Sequence, residues 1–176
     1  MIRTCALAAC CLALPAVAAV AEPAGVSAAL RAAPGEAPAM MLSARGTEIY
    51  TCTPSATQAG AYAWISTAPD VTLYDGTRGV ARLATLNHWE SLEDRSSVSG
   101  IPMRLQAGGA GNMPWALMRG VPLGESGMFA GVTSIQRVNT RGGAAPSAGC
   151  DETHVGTEAR VDFAADYYFY KLAGTG

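Results

Sequence analysis

The chain has 176 residues, with 12 Lys and Arg against 14 Asp and Glu, enough for one ordinary domain and too few for two. A net charge of −2 with a single lysine, Lys171, excludes the basic face that a nucleic-acid partner needs.

Residues 1–21 carry one charge, Arg3, then an apolar run interrupted by Pro15, then the small residues Ala19-Val20-Ala21. This is the pattern of a cleaved secretory signal, with the cut expected after Ala21 or after Ala18. A spanning helix needs about 20 apolar residues, so no transmembrane segment is expected once the leader is gone. Leu7-Ala8-Ala9-Cys10 resembles the box before a lipidated cysteine, but almost no apolar region precedes it, so anchoring at Cys10 is not expected. Cleavage removes Arg3 and leaves 11 basic and 14 acidic residues, a net charge of −3, with Cys52 and Cys150 as the remaining cysteines. An even pair in an exported chain, periplasmic or extracellular, reads as a disulfide. The alternative is two separate buried thiols.

Residues 22–45 are rich in Ala and Pro and read as a flexible arm, with a helical turn at 27–33 ended by Pro34-Gly35. The domain is expected to span 46–172. Residues 47–52 alternate as a strand, 62–66 form a second and 71–74 a third. Asp75-Gly76 then reads as a hairpin turn of type I′, with 79–86 returning. After His88-Trp89-Glu90 and a polar run, 98–105 reads as an edge strand because of Pro102, and 106–112 as a glycine-rich loop. Strands are expected again at 114–118, 128–139 and 160–170. In the last, Val161, Phe163, Ala165, Tyr167 and Phe169 share an apolar face, as in an antiparallel sheet with one wet side. About eight or nine short strands without a convincing long helix give an all-β fold, one antiparallel sandwich or barrel.

The segments Glu48-Ile49-Tyr50-Thr51-Cys52, Trp89-Glu90, Pro114-Trp115, Ile135 to Gly143, Cys150-Asp151 and Ala165 to Tyr170 resemble the bacterial and fungal family known as domain of unknown function 3455. The stretches QRVNTRGG and ADYYFY are the most specific parts. The resemblance implies no activity. A dehydrogenase label on some fungal relatives finds no support here, since no GxGxxG follows a strand and no βαβ unit is readable, and no cofactor is expected. The chain departs from the family pattern at Leu83, where a histidine is usual, at Leu86-Asn87 in place of Gly-Pro, and at Asp94-Arg95-Ser96 in place of Asp-Gly-Ser.

Arg137, Asn139 and Arg141 alternate onto the face of Thr133 and Ile135. Two guanidinium forks beside an amide would clamp a carboxylate or another anion. The structural alternative pairs Arg137 with Asp162 or Asp166 and uses Asn139 to set the turn at Gly142-Gly143. Trp89, between His88 and Glu90, is the candidate for an exposed stacking surface, whereas Trp115 reads as core. Catalytic groups are sparse: the histidines are His88 and His154, and Gly124-Glu125-Ser126-Gly127 is not a nucleophile elbow. Asp151-Glu152-Thr153-His154 matches no zinc spacing. Asp162 and Asp166 stand about 13 Å apart on one strand, too far for a glycosidase pair. The expectation is a non-catalytic binding or envelope-associated module whose partner is a small molecule or an envelope component. The rival is an enzyme acting on a small anionic substrate at Arg137, Asn139 and Arg141.

Overall fold

The computed structural model describes residues 20–174. Apart from its last two residues, the expected leader, with Cys5, Cys10 and Cys11, lies outside them. Nine strands are present and no α-helix occurs among the described residues: β1 (Glu36–Pro54), β2 (Tyr62–Ser66), β3 (Asp70–Asp75), β4 (Arg78–Thr85), β5 (His88–Ser91), β6 (Ser97–Gln106), β7 (Trp115–Pro122), β8 (Val132–Gly142) and β9 (Glu158–Leu172). From β3 to β9 each strand pairs antiparallel with the next. β9 then pairs with β1 from Glu36↔Leu172 to Thr51↔Glu158, which closes the sheet. The fold is therefore a barrel, not a sandwich. β9 occupies one edge of β1 along its length, so β3 and β2 share the other edge end to end.

Most sequence readings of strands hold; His88–Ser91, not read as a strand, is β5, β6 is no edge because it pairs with both β5 and β7, and two further readings are corrected. Strand pairing begins at Glu36, ten residues before the expected domain start at Gly46. Ala, Pro and Met hide this half of β1 from pattern reading, but its burial alternates, and Met40 and Leu42 pair with Phe169 and Tyr167. The β3–β4 hairpin forms as expected, with Asp75 paired to Arg78, yet only Gly76 has positive φ, 59°. A type I′ turn needs it at both central residues.

The interior is filled by alternate residues. Leu42 and Ala44 of β1 face Tyr167 and Ala165 of β9, and Phe163 and Phe169 continue that face. An eight-stranded barrel is just wide enough for such packing. Trp89 occupies its middle at 0% exposure, edge-on to Tyr167 at 5.3 Å and to Phe169 at 5.9 Å. This overturns the reading of Trp89 as an exposed stacking surface; its indole is worth more inside than its polar neighbours suggest. Trp115, read as core, is half-buried.

The segment before β1 is not a free arm. Leu30, at 1% exposure, packs onto the outside of the barrel, and the Leu30 carbonyl accepts a 2.6 Å hydrogen bond from Gln136 Nε2. Ser134 Oγ donates to Glu36, and Tyr170 Oη to Glu22. At one end of the barrel Cys52 and Cys150, 98 residues apart, form the expected disulfide. It ties the loop after β8 to β1, where Trp64 Nε1 also donates to the Ala148 carbonyl.

Candidate functional site

Simple alternation would put Arg137, Asn139 and Arg141 on one face of β8. The strand does not keep its alternation. Val138 pairs with Asp166 and Arg141 with Ala164, three residues on β8 against two on β9. The extra residue is a bulge, and one extra residue exchanges the two faces of everything beyond it. Asn139 takes φ 53°, a left-handed conformation that asparagine tolerates. Arg137 therefore pairs with the inward Tyr167, while Arg141 pairs with the outward Ala164. The three residues do not form one clamp.

Arg137 is 6% exposed, and its Nε donates to the Pro114 carbonyl at 3.0 Å. Glu48 projects into the same interior from β1 at 1% exposure. One of its oxygens accepts a long bond from Ser66 Oγ, 3.4 Å, and the other has no partner among the described residues. Burial raises the Glu48 carboxyl above its usual range, opposed by the charge of Arg137 and by Ser66. Burial likewise raises the phenols of Tyr167 and Tyr50, with Arg137 acting against it in both. Tyr50 Oη is already committed, donating to the Gly143 carbonyl at 2.6 Å. These buried groups make up an internal polar cluster.

The outer wall differs. Ala164 on β9 is flanked by Arg45 on β1 and Arg141 on β8, all in one row. Adjacent strands lie about 4.8 Å apart, so the two arginine backbones are about 10 Å apart. The next outward row along β9 centres on Asp166, paired with Ser43 on β1 and reached from β8 by the bulge residue Asn139. Asp166 is held by Ser43 Oγ at 3.2 Å and by Asn139 Nδ2 at 2.9 Å. Together the two rows line an open groove of about 510 Å³ whose floor is Ala164. Arg45 stacks over Tyr74, 5.4 Å from the ring centre. Neither Arg45 nor Arg141 forms an ion pair among the described residues. The alternative that paired Arg137 with Asp162 or Asp166 does not occur among the described residues; Asp166 is bonded instead by Asn139.

Sequence reading missed Arg45, because it falls in the stretch taken for an arm, and saw Asp166 as a counter-ion or as half of a carboxylate pair, not as part of a groove with Arg141. The bulge leaves one usable sign: the positions around Asn139 and Gly142 favour positive φ. Neither histidine lines the groove. His88 Nδ1 shares a 2.9 Å hydrogen bond with Ser99, and His154 Nδ1 sits 2.7 Å from Asp151 on an exposed loop. Hydrogen bonds from Thr153 and His154 hold the Asp151 carboxyl below its usual range. No cluster of three or more His, Cys, Asp or Glu suited to a metal occurs among the described residues.

Residues 87–171 match the model of a family described as a protein of unknown function, DUF3455. This chain resembles that family. No curated protein and no solved structure matches it. The DUF3455 match runs from β5 into the end of β9 and so contains Asn139, Arg141, Ala164 and Asp166; Ser43 and Arg45, on β1, lie before it.

Proposed function

We propose that this protein is a non-catalytic binding module, exported to the periplasm or beyond, whose outer groove captures a small ligand or envelope component through a carboxylate or phosphate. One observation carries the reading: Arg45 and Arg141 stand on either side of a bare alanine floor, and neither is neutralised by an ion-pair partner among the described residues. Guanidinium forks recognise such groups by paired hydrogen bonds. The disulfide fits an oxidising compartment. The groove lining contains Asp166 as its acid and no histidine, cysteine or tyrosine, and this supports binding over acid–base chemistry.

The test is calorimetric titration of the oxidised protein with inorganic phosphate and with small carboxylates. Binding of at least one is expected, with Arg141→Ala and Arg45→Ala each weakening it about tenfold, the loss of one charge-assisted contact. Unchanged affinity in both variants would move the site elsewhere. Turnover of a bound compound, abolished by Asp166→Asn, would favour the enzyme reading.

A further inference from the structure

We propose that the groove takes a zwitterion: a compound with a carboxylate and an ammonium group a few bonds apart, such as an amino acid or a very short peptide. The inference rests on the binding reading above and narrows its ligand.

The two rows of the groove carry opposite charge. The first is Arg45, Ala164 and Arg141. The second lies two residues along β9, about 7 Å away, and centres on Asp166. That carboxylate is half-buried and borders the cavity. Its two oxygens each accept one hydrogen bond, from Ser43 and from Asn139. Both donors are neutral, so they orient the group without cancelling its charge. Each oxygen retains room for another donor. Two arginines border Asp166, and no cation forms an ion pair with it among the described residues.

The neighbouring charges add to this contrast. Asp162 lies on the same outer face beyond the arginine row, exposed and opposite Thr47. Arg160, further along, faces Asp70 at 3.7 Å. The arginine row therefore sits between two aspartates, and this face has little net positive charge. A bare anion would be drawn to the guanidiniums and repelled by Asp166. A bare cation would meet the reverse. A ligand that sets its carboxylate against Arg45 and Arg141 and its ammonium against Asp166 satisfies both rows at once.

The experiment compares probes on the oxidised wild-type protein by calorimetry at low salt, where such contacts are least screened. The probes are L-alanine, D-alanine and glycylglycine, then acetate and inorganic phosphate, then methylammonium. At least one of the amino-bearing carboxylates is expected to bind ten times more tightly than acetate or phosphate. Asp166→Asn should reduce that preference to less than twofold while leaving acetate binding intact or stronger. Arg141→Ala should weaken both classes. Acetate or phosphate binding as tightly as the amino-bearing probes would overturn the zwitterion and leave the anion groove standing. Absence of binding by every probe would overturn both. The wild-type comparison needs no variant to fold, so a poorly folding Asp166→Asn would not spare the idea.

Discussion

Arg137 and Arg141 are four residues apart on one strand and lie on opposite sides of the barrel wall. Their substitutions should therefore separate. Arg137→Ala removes the positive charge that partly compensates the buried Glu48 and strips the Pro114 carbonyl of its donor. A loss of about 3 kcal/mol in urea unfolding is expected. Arg141→Ala, at an exposed position without an ion pair among the described residues, should stay within about 0.5 kcal/mol of wild type. Equal effects would contradict the opposed faces. Glu48 adds a pH dependence. Burial raises its carboxyl, so the folded protein holds that proton more tightly than the unfolded chain does. Its contribution is fully present below the ordinary carboxyl value of about 4.3 and is lost as pH rises through the folded value. Glu48→Gln should thus gain stability relative to wild type between acid and neutral pH, with little difference in acid. A constant difference across that range would remove Glu48 as the source.

At the scale of elements, the course of β8 is decided by its bulge and by the glycine at its end. A Cβ on Gly142 would lie 2.1 Å from the Asp162 carbonyl oxygen, and φ there is 66°, so that position requires glycine. The turn before β6 shows the opposite case. Arg95 takes φ 61°, a conformation that favours glycine, and the turn is held by Asp94, which accepts bonds from Ser96 and from the Met128 amide. The segment before β1 is also an element, not a tether. Leu30→Ala should cost about 2–4 kcal/mol, because truncating a buried side chain leaves a cavity on the outside of the barrel. A change under about 0.5 kcal/mol, the ordinary range for an exposed position, would return residues 22–35 to the status of a loose arm.

For the whole molecule, closure of β9 onto β1 brings the beginning and end of the domain together, and the disulfide ties a third point to them. Cys52 and Cys150 enclose most of the barrel, with a separation of 98 residues. Cys52→Ser with Cys150→Ser should lower unfolding free energy by about 2–4 kcal/mol, through the unfolded chain in the entropy account of cross-links. Intact-mass measurement of residues 22–176 without reductant should find the protein two hydrogens lighter than the reduced form, and two free thiols would refute the bridge.

Local chemistry was legible in the sequence. Alternation along β9 gave its buried face, because side chains on a strand change sides at every residue. The pair of cysteines beyond the expected leader gave the disulfide, and turn residues divided the strands. Three things depended on tertiary structure. Sandwich or barrel was settled by pairing between chain ends more than 100 residues apart, which no local pattern encodes. Trp89 went inside because the barrel needed a large side chain at its centre, whatever its neighbours' polarity. The candidate site joined Arg45 and Arg141 through Ala164, since a one-residue bulge reversed the face of Arg141 and closure set β1 beside β9. Sequence periodicity assumes an unbroken strand, and at Asn139 the strand is broken.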